Sequence, residues 1–354
     1  MRKKWKALLC AGVMFLSLTA CGNPVEGREV EQMPEEQAKP HTASDTGDGT
    51  ELSVWPIYWD QNHVLEEMNL LQNKINNVCY FAAYFDADKK PFIPEESLET
   101  FAAAKTQFGN TGWKSYLTFV NDLLLPEGGS SQKDTDLLYT LLQDPTARKA
   151  HINEILQMVS DQGFDGIEID YEAIRKDMNL WGIFNQFIME LNTEAQNRGI
   201  AVRVLFEPSV PIDQLDLPEG PEYVLMCYNL YGYGTEPGPK ANRDFLIQMT
   251  QLLEKMPSPR NMALSIGGFD FAADGTVKQV TESECVALQQ QYGAAAIRDE
   301  QSNDLVFSYK AQDGIDHEVW YADNETLTYW MSVGKTYGIN RFSIWRLGST
   351  ITLQ

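Results

Sequence analysis

From residue 52 onward, apolar runs of strand length alternate with amphipathic runs of helix length, and this order constrains the fold more than any other feature of the chain. Strands are predicted over residues 52–59, 77–85, 114–120, 164–169, 201–207, 223–228, 262–266 and 341–345. Helical runs fall near 61–72, 95–107, 144–162, 179–198, 241–255 and 325–338. Strands that alternate with helices predict a parallel α/β sheet. Eight such units are what a TIM (β/α)8 barrel requires. The fifth and sixth strands lack an intervening helix, because Pro208, Pro211, Pro218 and Pro221 interrupt it. A doubly wound sheet is the alternative, but its central strands are apolar on both faces, and the fourth strand here is not.

About fifty additional residues, 269–320, separate the seventh strand from the eighth. Short strand-like pieces at 276–280, 304–309 and 318–321 surround a helical run at 285–292, which predicts a small α+β insertion. The barrel domain is thus expected over 52–354, with no internal repeat.

The fourth strand reads Asp165-Gly-Ile-Glu168-Ile-Asp170-Tyr-Glu172. Successive side chains of a strand point to opposite faces. Glu168, Asp170 and Glu172 therefore share one face, and Ile167, Ile169 and Tyr171 the other. The apolar face suits a barrel strand covered outside by helices. Carboxylates about 6–7 Å apart on one face raise each other's pKa. A site that holds them together keeps a carboxylic acid protonated near neutral pH. A solvated acidic strand face is the bland alternative, disfavoured because like charges destabilise strand pairing.

The octapeptide resembles the active-site signature of the family 18 glycoside hydrolases, the chitinases and endo-β-N-acetylglucosaminidases, which is Asp-x-x-Asp-x-Asp-x-Glu on the fourth barrel strand. Asp165, Asp170 and Glu172 match it, and Glu168 stands where the family usually has Asp. Two further segments agree. The sixth strand ends Met226-Cys227-Tyr228-Asn229, where the family has Met-x-Tyr-Asp or Met-x-Tyr-Asn. By parity Met226 and Tyr228 face the barrel interior and Cys227 the helices. The eighth strand ends in Trp345, at the place of the family's tryptophan. The Ser-x-Gly-Gly of many chitinases is absent from the third strand, where Phe119-Val120-Asn121-Asp122 stands instead. A Ser265-Ile-Gly-Gly268 occurs on the seventh strand and is not equivalent. These departures are more similar to the cell-wall and spore-germination branch.

The resemblance implies hydrolysis of β-1,4 bonds after N-acetylglucosamine in peptidoglycan, chitin or related glycans. It assigns Glu172 as general acid, Asp170 as partner of the substrate acetamide and Tyr228 as ligand of the acetamide oxygen. Glu168, Asn229, Met226 and Trp345 are expected around the sugar, with Trp345 as its floor. It also implies the insertion between strands seven and eight. Trp55, Tyr58, Trp59, Tyr231 and Tyr233 are further candidate sugar platforms. A non-catalytic glycan-binding protein on the same barrel is the alternative function; lectin-like relatives lose the acid that Glu172 retains.

Residues 1–20 combine a basic start, Met-Arg-Lys-Lys-Trp-Lys, with an apolar stretch too short to span a bilayer. The Leu18-Thr-Ala-Cys21 that follows resembles a bacterial lipobox. Cys21 is then the lipid-bearing first residue of an extracytoplasmic protein. Residues 21–51 are rich in Glu, Pro, Gly, Ser, Thr and Asp and read as a disordered tether. Formal charge is −22, and −26 without the four basic residues of the leader. Such a chain repels nucleic acid and anionic membrane surfaces; the only expected membrane contact is the lipid anchor, and a monomer is expected. Cys79, Cys227 and Cys285 are too few and too widely spaced for a disulfide framework or zinc site. The four histidines, His41, His63, His151 and His317, are scattered, and His317 is expected at the surface. No nucleotide fingerprint or metal motif is present, so neither cofactor nor metal is expected.

Overall fold

The computed structural model describes residues 49–125, 128–348 and 353. The leader, Cys21 and nearly all of the tether lie outside them. Eight parallel strands form the barrel: β1 (Glu51–Val54), β2 (Ile75–Phe85), β3 (Lys114–Leu124), β4 (Gly166–Asp170), β5 (Ala201–Phe206), β6 (Glu222–Met226), β7 (Arg260–Ser265) and, last in the chain, Arg341–Trp345. Each pairs with its sequence neighbour, β1 and β7 both pair with the last strand, and the β2–β3 pairing closes the sheet on itself. The expected TIM barrel is the observed fold.

Helices α1 (Gln61–Leu70), α2 (Glu95–Phe108), α3 (Thr135–Leu142), α4 (Pro145–Gln162), α5 (Met178–Arg198) and α6 (Arg243–Glu254) lie between the strands. Their ends follow local chemistry. Asp144 accepts the Thr146 and Ala147 N–H groups ahead of Pro145, and α4 stops at Gly163 with φ 76°. Gly166 then opens β4 beneath the Tyr116 ring, where a Cβ would lie 2.3 Å from a ring carbon. As expected from its prolines, the β5–β6 connection carries only a short 3-10 turn, Ile212–Gln214. Helix α3 was not anticipated: its eight residues are too few to show a helical period beside α4.

Several element boundaries differ from the sequence reading, and three of them bear on the mouth of the barrel. The first strand stops at Val54 instead of residue 59, because Pro56 cannot donate to a ladder; Tyr58–Asp60 form a 3-10 turn. The sixth stops at Met226, two residues early. The insertion starts at Gly267 instead of residue 269. Gly267 has φ 69°, and a Cβ on Gly268 would strike the Trp320 carbonyl oxygen at 1.7 Å. There the chain leaves the barrel and enters an antiparallel sheet: β8 (Gly267–Ala272), β9 (Val277–Val280), β10 (Ile297–Arg298), β11 (Leu305–Lys310) and β12 (Asp316–Ala322), with α7 (Glu282–Tyr292) packed on it. After α8 (Asn324–Thr336) the final barrel strand is β13 (Arg341–Trp345).

Two apolar layers flank the barrel wall. Ile167, Ile169, Tyr171 and Cys227 pack outward against helices such as α5. Trp55, Cys79, Leu205, Val224, Met226 and Ala263 fill the interior with Tyr228 and Trp345. The parity read for the fourth and sixth strands is the parity observed. Below the apolar interior lies a polar one. Arg203, wholly buried, donates to Glu168 (2.8 Å), Ser53 (3.1 Å) and Ser343 (2.9 Å), and its ion pair with Glu222 lies within 2.5 Å. A buried ion is tolerated when it is paired and its donors are satisfied, and Arg203 meets both conditions.

Candidate active site

A cleft of 540 Å³ opens at the C-terminal ends of the barrel strands, the end at which such barrels carry catalytic groups. Asp170, Glu172, Met226, Tyr228, Asn229 and Trp345 all line it. Six of the seven barrel residues assigned from the sequence are thereby brought together. A hollow of similar size, 530 Å³, at Thr50, Lys74 and Lys335 has no carboxylate or aromatic ring among its described residues.

The seventh, Glu168, does not reach the cleft. It is fully buried one layer down, where Oε1 accepts from Trp55 Nε1 (2.6 Å) and Thr118 Oγ1 (2.7 Å) and Oε2 accepts from Arg203 Nε (2.8 Å). Both its oxygens are used on protein donors, so the expected contact with sugar is replaced by a supporting role. The register explains this: Glu168 lies beside Thr118 on β3 and Arg203 on β5. Asp165 is also remote from the cleft. It accepts the Ser115 N–H (2.8 Å) and hydroxyl (2.7 Å) at the start of β4.

Asp170 ends β4, is almost wholly buried, and its Oδ1 has no hydrogen-bond partner. Burial and then the neighbouring Glu172 hold its carboxyl well above the usual carboxylate range, while Lys133 opposes the shift. Burial also raises Glu172; Lys133 opposes this, and Glu207 and Asp122 add to it. Two coupled carboxyl groups in one low-dielectric site favour holding a proton between them. Burial and the Asp170 charge keep the Tyr228 hydroxyl protonated.

Glu172 lies past the end of its strand, so its backbone is held by side chains. Asn121 Oδ1 accepts the Glu172 N–H (2.9 Å), and Asn121 Nδ2 donates to the Glu172 carbonyl (3.2 Å). Glu207 accepts the N–H of Ala173, which has φ 63° (2.9 Å). Lys133 Nζ forms an ion pair with Glu172 Oε2. The sequence reading missed all three partners. Only Asn121 left a signal, as part of the segment standing in place of the family's third-strand motif.

Trp345 stands edge-on to Phe81 (4.8 Å between ring centres) and to Trp55 (6.0 Å). The Trp55 indole is in turn tied to Glu168. The wall around the cleft is thus fixed to the buried ion network beneath it. Of the other candidate platforms, Trp59, half exposed, and Tyr58 line the cleft, Trp55 borders it as a buried residue, and Tyr233 is exposed beside Asn229 in an adjoining pocket. His317 is not a free surface residue: its Nδ1 meets Asp270 at 2.8 Å within the insertion.

A closed parallel barrel with two neighbouring carboxyl groups and aromatic rings at its C-terminal mouth is the architecture of a glycosidase. Comparison with known proteins agrees. The profile of "Glycosyl hydrolases family 18" matches residues 54–349. The cortical fragment-lytic enzyme of Bacillus anthracis is 23% identical over 324 residues, 85% of this chain and 73% of that protein. YdhD of Bacillus subtilis (strain 168) is 25% identical over 255 residues; the match takes in 67% of this chain but only 59% of YdhD. Among solved structures, the Bacillus cereus spore cortex-lytic enzyme SleL superposes with a TM-score of 0.71 at 19% identity, over 86% of this chain and 72% of that one. The chitinase of Chromobacterium violaceum gives 0.72 at 18% identity, over 85% and 95%. At those identities the structures speak for the fold. The chain belongs to glycosyl hydrolases family 18, and its barrel is a glycosidase domain.

Proposed function

We propose that this barrel hydrolyses the β-1,4 bond after N-acetylglucosamine in a cell-wall glycan, with the substrate's own acetamide as nucleophile. The observation that carries the reading is the buried, unpartnered Asp170 Oδ1 beside Glu172 in the cleft. An acetamide N–H supplies the partner that oxygen lacks. Family 18 is among the glycosidases that use the substrate in place of a second catalytic carboxylate. Glu172 protonates the leaving oxygen and then takes a proton from water. Asp170 holds the acetamide N–H and stabilises the positive charge that develops as the ring closes to an oxazolinium ion. Tyr228 holds the acetamide oxygen toward the anomeric carbon. Trp345 provides a flat apolar face for the pyranose. No metal or cofactor takes part in this scheme.

Peptidoglycan is the favoured substrate, because the names of two relatives, cortical fragment-lytic and spore cortex-lytic enzyme, refer to the spore cortex. A reducing-end assay on purified peptidoglycan, chitin oligomers and a high-mannose glycoprotein tests the reading. Peptidoglycan should release the most new reducing ends. Binding without release from any of the three would return the chain to the glycan-binding alternative.

The Leu-Thr-Ala-Cys box supports a second proposal, that Cys21 carries a lipid anchoring the enzyme outside the cytoplasm. Metabolic labelling with a fatty acid should mark the wild-type protein and leave Cys21→Ala unmarked; label on the variant would refute the anchor.

A further inference from the structure

The segment that follows β3 carries the only cation among the described residues lining the cleft, Lys133. It is not a loose surface lysine. Its N–H is donated to Asp122 Oδ1 (2.7 Å), and the next residue donates its N–H to the Asn121 carbonyl (2.8 Å). Asn121 is the residue that clamps the backbone of Glu172. One short stretch of chain therefore fixes the acid and seats the ammonium on its carboxylate. The Lys133 side chain is 47% exposed and that of Glu172 16%, so the lysine covers the acid from the solvent side.

That pairing conflicts with the task of Glu172. A general acid needs its proton, whereas an ammonium bonded to a carboxylate favours the ionised form. The leaving oxygen of a glycan must also approach the same carboxyl. Both needs are met if the lysine leaves when the glycan arrives.

Resting on the assignment of Glu172 as the acid, we propose that Lys133 is a positioning residue that holds Glu172 ionised and oriented in the empty cleft and is displaced from it by bound glycan. Glu172 then takes up its proton from solvent as the leaving oxygen replaces the ammonium. Asp122, Asp170, Glu207 and Tyr228 face the acid from β3, β4 and the segments after β5 and β6. Lys133 is the one opposing cation among the described cleft residues, so its departure leaves an environment that favours the protonated form. Freed from Glu172, the ammonium remains attracted to Asp170 and Glu207.

The test is the pH dependence of kcat/KM and of kcat for the wild type, Lys133→Met and Lys133→Arg, with melting temperatures recorded for each. The first profile reports groups of the free enzyme and the second those of the complex. Removing a cation raises the pKa of the acid, so activity should persist to higher pH. Lys133→Met should move the alkaline limb of kcat/KM upward by about one pH unit or more. The alkaline limb of kcat should stay in place, because in the complex the lysine has already left. Lys133→Arg should restore the wild-type kcat/KM limb. If Lys133→Met leaves both limbs where they are, or moves both equally, the proposal is overturned. If Glu172→Gln keeps its turnover, the underlying assignment of the acid falls instead. Should Lys133→Met fail to fold, Lys133→Gln gives the same readout with a polar side chain.

Discussion

Glu172→Gln is expected to lower kcat by at least about 10²-fold, and by up to about 10⁴-fold, the range that general acid–base catalysis contributes. The amide has the shape of the carboxyl but no proton to give to the leaving oxygen. The fold should survive, because Asn121 holds the backbone of residue 172 through its N–H and carbonyl, and neither changes. Lys133 keeps an acceptor in the amide oxygen and can retain much of its solvation, since its side chain is half exposed. Oligosaccharide binding should also survive, because Trp345, Tyr228 and Asp170 remain in the cleft. Saturating kinetics together with calorimetric binding to a chitin oligomer separate the two effects. Turnover near the wild-type rate would remove Glu172 from its role.

Asp170 and Glu168 show why a ladder of carboxylates on one strand need not act as a unit. The sequence places both on the same face, and the structure agrees. Parity was legible because it depends only on the two-residue period of a strand. Depth was not. Glu168 lies opposite Arg203 across a β4–β5 register that no local pattern reveals, and its charge is compensated there. Asp170, one layer higher, has no such partner and keeps an unsatisfied oxygen at the lining of the cleft. The longer Glu168 side chain, in place of the family's usual aspartate, belongs to the buried ion network and not to the cleft wall.

The barrel itself was legible because eight apolar runs and their helices recur along the chain, and the end of each strand was less so. Pro56 stops the first strand early, and Gly267 turns the chain out of the barrel two residues before the predicted start of the insertion. The contacts of Lys133 and Asn121 with Glu172 were hidden for a different reason. Both side chains meet Glu172 across 39 and 51 residues of sequence, through a stretch with no periodic signal. Such contacts follow from the closure of β3 onto β4 and not from either segment alone.

The second large effect concerns the nucleophile. A glycosidase with a protein nucleophile needs a carboxylate across the sugar, about 5 Å from the acid. Asp170 is instead the last residue of β4, two residues before Glu172, with its carboxyl raised by burial and then by Glu172. Its unpartnered Oδ1 is suited to accept an N–H and, in the ionised form, to face a developing cation. If the acetamide attacks, its advantage is that of a well-placed intramolecular group, with effective molarities of roughly 10⁵–10⁸ M. Removing the acetyl group from the sugar that occupies the bond-breaking subsite removes the nucleophile itself. It also leaves Asp170 Oδ1 without the partner the cleft offers it.

The most direct measurement compares two donors that differ only at that sugar, N-acetylglucosamine in one and glucosamine in the other, with initial rates read at matched saturation. Substrate assistance predicts that the glucosamine donor is slower by more than about 10³-fold, well within the intramolecular advantage at stake. Cleavage of the two donors within about tenfold of each other would be a difference too small for a lost nucleophile, and would contradict a mechanism in which the acetamide forms the first new bond.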